Sequence, residues 1–473
     1  MAIRRVSRNI VSDMSSWIVR VALMKKQLGS IPAQMPGNAP WRRAFWLSLP
    51  GVRGVFHAVL LIVPVSWPAA WPAAAHAQGQ EALCCTSVDG VLLSKSATKP
   101  WRALKPGASV PDATTLVSLF QAEMTSADKA VGVKLMADIG QRGPYPVLDT
   151  GIIVHQAKDC DLDVTLQRGI LVVANLRDQG PVRIHLRIRG NLVQCELKEP
   201  QTRLGIELYG RHAPGRASLD EDDPVTYAFV LVLKGEVLLS HKDKSISLKE
   251  PPGPALLLWD SLQKNPEVQV LDKLPFSEPL STEKRDLFAA MCTSAGKLAV
   301  QDIPAAVATL VKSDSRLDRL VGVTALGAVD DVAGLAEVLE KSPDAEVRDH
   351  AILVLRNWLG RAPGQMKAFI DLLAKKDVPQ PRAKSVLHLL VGFTTEERAM
   401  PDTYELLIEC LNHPKQAVRA LAYWHLVRLA PAGKDILYNA SAPEGQRLQG
   451  QAQWRVLIPS GKLPPPAKKA GSS

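Results

Sequence analysis

Cysteine is scarce in this chain, with six residues in 473. That density excludes a scaffold built on disulfides. Acidic residues are nearly missing from the first 77 positions, where Asp13 stands alone against nine Lys and Arg. The remainder carries 48 basic and 46 acidic residues, so the formal charge of +10 belongs mostly to the leader. The body therefore lacks the concentrated positive field with which proteins grip nucleic acid. Catalytic signatures are missing too. No G-x-S-x-G, H-E-x-x-H, phosphate-loop or dinucleotide-glycine pattern occurs. Cys84-Cys85 has neither C-x-x-C spacing nor a following His at zinc-site distance. A non-enzymatic chain without cofactor or metal is the expectation.

The leader has its own logic. Arg42, Arg43 and Arg53 precede the uncharged stretch Val55–Ala75, which ends in Ala75-His76-Ala77 before polar Gln78. A positive region, an apolar core and a small-x-small site make a secretory signal, cleaved after Ala77. Pro64, Pro68 and Pro72 make the stretch a poor membrane helix, so membrane contact is expected only if it is retained. "RRAFW" at 42–46 loosely follows a twin-arginine export signal, and Met35 offers a second start. Leu83 before Cys84, and the distance from the apolar core, argue against lipid attachment. Every version sends the mature chain out of the cytoplasm, to the periplasm or cell envelope or on into the medium.

Two textures follow. From 78 to 275 apolar residues alternate with polar ones in short runs, such as "GILVVANL" (169–176), "LVQCEL" (192–197) and "TYAFVLVL" (226–233), with turn residues every eight to twelve positions. This pattern predicts an all-β antiparallel sandwich or roll, interrupted at most by a short helix around Leu116–Ala130. A linker and first helix occupy 276–300, with "KLPFSEPLSTEK" (273–284) as the boundary between separately folding modules. Helical periodicity fills 301–459, and 460–473 read as a disordered tail.

The helical part repeats. Arg319, Arg348, Arg382 and Arg419 are each followed by a small residue three positions on (Gly322, Ala351, Ser385, Ala422) and a leucine four beyond that (Leu326, Leu355, Leu389, Leu426). A helix starter stands five residues before each Arg: Asp314, Pro343, Asp377 and Pro414. Such units bury their apolar stripes only by stacking, so a solenoid is expected. "PDAEVRDHAILVL" (343–355) and "PKQAVRALAYWHL" (414–426) resemble HEAT repeats of the short V-R-x-x-A type, with Pro381 departing from the pattern in the middle unit. More distantly, "FVLVLKGEVLLSHKDKSISLKEPPGPALL" (229–257) is similar to the extracytoplasmic domain of FecR-like regulators. That resemblance implies an all-β envelope domain that senses or docks a partner, in proteins that also carry a transmembrane segment and a cytoplasmic anti-sigma part.

Candidate functional residues are few. In "VRIHLRIR" (182–189), Ile184, Leu186 and Ile188 alternate with Arg183, His185, Arg187 and Arg189. The cationic residues are expected on one outer face, about 7 Å apart. They are either neutralised by the acidic strand face Asp159, Asp161 and Asp163 or bound to an anionic ligand. "DCDLD" fails as a calcium loop, because Val164 and Ile170 stand where Gly and Glu are needed. "DEDD" (220–223) reads as an exposed loop. Cys160 and Cys195 fall in expected strands and can pair. His350, His388, His425, Trp358 and Trp424 read as packed helix residues, and the repeat arginines as ladder residues between units. Three functions stay open: a protein–protein scaffold, a FecR-like sensor with a retained anchor, and a glycan-active enzyme on the β half.

Overall fold

A computed structural model of the chain describes residues 81–137, 147–215, 223–263, 265–274 and 281–465. The leader, with Val55–Ala75 and Ala77, lies outside these residues, as do 220–222 of "DEDD" and the linker at 275–280. A β-rich half precedes a helical half. The strands are β1 (Glu81–Lys95), β2 (Arg102–Leu104), β3 (Ser109–Pro111), β4 (Thr115–Ser126), β5 (Val131–Met136), β6 (Thr150–His155), β7 (Leu162–Asn175) and β8 (Val182–Ile188). They continue as β9 (Asn191–Leu197), β10 (Arg203–Arg211), β11 (Val225–Lys234), β12 (Glu236–His241), β13 (Lys244–Lys249), β14 (Gly253–Asp260) and β15 (Glu267–Leu271).

One long strand organises the sheet. The main path runs β13-β12-β9-β8-β7-β10-β11-β14-β15. The first half of β7 pairs with β6 and β8, and its second half with β5 and β10. The change of neighbours falls at Gly169, whose φ is +97° and whose added Cβ would stand 2.1 Å from Thr150 Oγ1. Only glycine fits that bend. A matching bend crosses β1 and β4, where Gly90 (φ +107°) lies opposite Phe120 (φ +82°). β4 pairs with β6 before that point and with β5 after it.

The pairing is antiparallel with one exception among the described strands: β7 and β8 run parallel. An all-antiparallel expectation misses this because residues 176–181 return the chain to the start of β7. The short helix expected at Leu116–Ala130 is instead β4 and the turn after it. The irregular residue Phe120 breaks the period-two pattern there and imitates helical spacing. Leu116, Leu135, Val164, Leu171, Leu186 and Val237 pack in one apolar cluster inside the sheet. Each such side chain contributes roughly 1.5–3 kcal/mol by leaving water.

The helices are α1 (Thr282–Gly296), α2 (Ile303–Val311), α3 (Arg316–Ala328), α4 (Val332–Lys341), α5 (Ala345–Leu359) and α6 (Gln365–Ala374). After them come α7 (Gln380–Val391), α8 (Thr395–Arg398), α9 (Pro401–Cys410), α10 (Gln416–Leu429) and α11 (Glu444–Arg455). Capping explains many starts: Asp302, Ser315, Asp331 and Asp344 each accept a backbone N–H of the first turn. α3 and α5 therefore begin two residues after the expected starters Asp314 and Pro343, and α10, without a side-chain cap, also begins two after Pro414. α7 begins three after Asp377, delayed by Pro379 and Pro381.

The repeat register holds at three of four units. Ala351, Leu355, Ala422 and Leu426 are fully buried, and Gly322 sits so close to α2 that a Cβ would meet the Val311 nitrogen at 2.8 Å. In α7 the register slips: Arg382 and Ser385 are exposed, while Ala383 and Leu387 are buried. Leu389 still reaches the core. Leu463, in the segment that composition marks as tail, is buried as well.

The apolar core crosses the boundary between the textures. Val91, Leu93, Val117, Leu119 and Phe120 of β1 and β4 share one cluster with Leu326, Val354 and Trp358 of the helices. Phe120 meets Phe288 of α1 edge to face, with centroids 6.1 Å apart.

Replacing buried Ala351 with Asp places an unpaired charge in this apolar cluster and should cost on the order of 3 kcal/mol or more. Loss of helical circular dichroism and a lower melting temperature are the expected readings. Ser385→Asp, on the exposed side of α7, should leave both unchanged.

Candidate functional site

The stripe in "VRIHLRIR" is an internally paired surface. Ile184, Leu186 and Ile188 are buried in the β core, and the alternate residues face outward. Arg187 donates twice to Asp163, through Nε at 2.8 Å and Nη2 at 2.7 Å. Arg183 stands 3.7 Å from Glu196 on β9, and its backbone N–H donates to Asp161 Oδ2 at 2.7 Å. Asp161 also pairs with Arg177. Two sequence expectations fail here. Asp159, Asp161 and Asp163 do not share a strand face, because β7 starts at Leu162 and the first two lie in the preceding bend. Arg189 does not continue the stripe either: β8 ends at Ile188 and Arg189 has φ +49°.

Parallel pairing sets Asp163 directly beside His185. Cys160, in the bend before β7, completes a group whose ligand atoms lie within 4.8 Å of one another. Burial, reinforced by the negative charge of Asp163, pushes the Cys160 thiol up from its ordinary value. A thiol held protonated is a poor nucleophile. Cys195 is free as well and faces the core opposite Ile184, so the two cysteines sit on opposite faces of β8 and form no disulfide.

A second constellation occupies the seam between the halves. Gly210 at the end of β10 and Gly360 after α5 approach so closely that a Cβ on either would stand 2.0 Å from the other's carbonyl oxygen. Arg189 uses this approach to donate to the Gly360 carbonyl at 3.0 Å and to Thr226 Oγ1 at 3.1 Å. His212 Nε2 contacts the Leu359 carbonyl at 3.1 Å. Nearby, buried Asp149 accepts from Arg168 Nε at 2.8 Å and lies 3.4 Å from Arg361 Nη2. Burial opposes ionisation of Asp149, but the two guanidinium groups outweigh it and hold the carboxyl below its usual range. Burial also lowers Arg361 to about 10, so it stays charged at neutral pH. Arg168 reaches the Ala328 carbonyl at 3.2 Å, and Arg361 the Asp330 carboxylate at 3.0 Å.

A cleft of about 350 Å³ opens beside this ion group, lined by Lys95, Trp101, Gln167, Arg168, Arg361 and Gln365. Its cations already have partners: Lys95 lies over the Trp101 ring, and both arginines meet carboxylates. The cleft can seat a small polar molecule.

The repeat arginines clamp the loops that precede their own helices. Arg319, Arg348 and Arg419 each donate through Nη1 to the carbonyl six residues back, on Ser313 at 2.8 Å, Ser342 at 2.7 Å and His413 at 2.6 Å. Their other nitrogens reach onward, to Asp344, Asn439 and the Ala440 carbonyl. Arg382 is exposed, in keeping with its displaced register. Arg447 makes a similar clamp on the Ala442 carbonyl at 2.8 Å, outside any repeat legible in the sequence. His350 bonds Thr324 Oγ1 at 2.7 Å and His425 the Leu389 carbonyl at 2.6 Å. Burial drops these histidines to about 4 and about 3, so both are neutral core residues. Trp358 donates to Asp330 at 3.1 Å, and Trp424 lies beneath Arg356 and Arg428.

Sequence reasoning missed Asp149, Arg168, Arg361, Gly210 and Gly360. Gly360 carries a signal only as a residue closing a helix. Cys160 and His185 are 25 positions apart, a spacing that no zinc motif announces. No protein-family model, curated protein or solved structure matches this chain.

Gly360 has φ −80°, so alanine there suffers from the seam and not from its own backbone. Gly360→Ala should cost about 1–3 kcal/mol through overpacking against β10. Gly445→Ala, in open space on α11, should be neutral or stabilise by up to about 1 kcal/mol. Thermal denaturation of the two variants reads the difference.

Proposed function

We propose that this chain is an exported scaffold with no chemistry of its own, whose β half and helical half contact protein partners as one body. The observation that carries this reading is the closed seam: a shared apolar core, backbone contact at Gly210–Gly360 and a buried ion group. Surfaces fixed to each other in this way suit simultaneous contact with large partners better than turnover of a small substrate. In this reading the β half is a FecR-like sandwich or roll, and the helical half is a HEAT-like solenoid whose arginine clamps hold successive turns. Apolar side chains left in water support a docking role, among them Leu437 at 89% exposure and Val456 at 63%, which flank the last helix. A glycan-active enzyme loses support because Asp161 and Asp163, its best carboxylates, are held by Arg177 and Arg187.

Crosslinking in the envelope, with mass spectrometry of the captured proteins, tests the reading. The captured chain should begin at Gln78, and Leu437→Asp with Val456→Asp should remove specific partners while leaving the fold intact. A chain recovered from the cytoplasm, or a partner set indifferent to those changes, would contradict it. An uncleaved, membrane-embedded N-terminus would replace it with the sensor reading.

A further inference from the structure

The outer face of the β half carries a group that the scaffold reading does not use. Cys160 lies in the bend leading into β7, Asp163 is the second residue of β7, and His185 is the fourth residue of β8. The parallel register pairs Asp163 with His185 and so sets their side chains next to each other on one face. The thiol sulfur, a carboxylate oxygen and a ring nitrogen all lie within 4.8 Å of one another. His185 Nδ1 is 3.8 Å from Asp163 Oδ2, too far for a hydrogen bond. The three groups thus surround a common point without bonding one another across it.

We propose that Cys160, Asp163 and His185 bind a zinc ion, with water in the fourth position. Donor chemistry selects the metal. Thiolate and imidazole suit zinc, whereas calcium and magnesium need six or more oxygens. Around a tetrahedral zinc with these ligand types the donor atoms stand about 3.4–3.6 Å apart, from bonds of about 2.0–2.3 Å. Binding would draw the three donors in from the observed spacing by side-chain rotation.

The surroundings match a metal site in three respects. Asp163 is buried, while Cys160 and His185 are half-buried, so an ion has both a rigid floor and a way in. Arg187 grips both oxygens of Asp163 and fixes its orientation, as hydrogen-bonded groups commonly do for ligating carboxylates. Backbone N–H groups of His185 and Leu162 point at the Cys160 sulfur and would stabilise its thiolate. Burial, reinforced by the charge of Asp163, keeps a proton on the free thiol. When the ion binds, that proton leaves to solvent and the thiolate takes its place on the metal. Arg187 is a positioning residue here, which gives the cationic strand a purpose beyond charge balance.

Cobalt(II) serves as the spectroscopic probe, added to the untagged mature chain under reducing conditions. A thiolate-to-cobalt charge-transfer band and tetrahedral visible bands should appear at one equivalent and vanish when zinc is added. Cys160→Ser should abolish the charge-transfer band, and His185→Ala should remove stoichiometric binding. Arg187→Gln should keep the band but weaken affinity by about 10- to 100-fold. Absence of any band at one equivalent would overturn the proposal, as would binding that survives both ligand substitutions. If a ligand variant fails to fold, alkylation of the unaltered chain decides. Zinc should protect Cys160 from N-ethylmaleimide while half-buried Cys84 reacts as before, and equal reactivity of Cys160 with and without zinc would refute the site.

Discussion

Two backbones meet at Gly210 and Gly360 with no side chain between them, and the joining of sheet to helices depends on that contact. Because neither position has a Cβ, the end of β10 can reach the C-terminus of α5. At this distance Arg189 and His212 bond the last carbonyls of the helix, which would otherwise lack partners. Asp149, Arg168 and Arg361 then fill the space alongside. A buried ion group of this kind contributes little net stability compared with apolar packing, but removing one member leaves the others uncompensated. Its contacts join Asp149, just before β6, and Arg168 of β7 to Arg361, just after α5.

Arginine serves three separate tasks in this chain. On β8, Arg187 neutralises a carboxylate and holds it still. At the seam, Arg168, Arg189 and Arg361 bridge sheet and helix through fixed, planar sets of donors, a use for which lysine is poorly shaped. In the helices, Arg319, Arg348 and Arg419 turn back on the loop six residues behind them and cap carbonyls that the helices leave open. Nearly every such cation has a partner within the chain. This agrees with the near balance of 48 basic and 46 acidic residues after position 77.

What could be read from sequence follows from the range of each interaction. Period-two alternation and helical spacing are local, so the order of β half and helical half was legible, as were the buried faces of β8, α5 and α10. The repeat arginines were expected to bridge adjacent units, and their clamp on the loop six residues behind was not foreseen. Failures trace to non-local or irregular features. Phe120 interrupts the alternation of β4 and so suggested a helix. The late start of β7 at Leu162 leaves Asp159 and Asp161 in the bend before it, and the parallel return of β8 brings His185 to Cys160, neither of which spacing along the chain reveals. Pro381 shifts the register of α7 and exposes Arg382. The seam had no signature, because a glycine required by a neighbour 150 residues away looks like any other glycine.

A core that crosses from β1 and β4 into α3 and α5 leads to the expectation that the two halves unfold together, despite their different textures and the proline-bearing segment between them. Hydrogen exchange read by mass spectrometry across a denaturant series measures this directly. Peptides from β7 and β10 and peptides from α3 and α5 should lose protection at a single midpoint with the same denaturant dependence. Separate midpoints, with one half protected while the other exchanges freely, would show two independent domains and contradict the fused architecture.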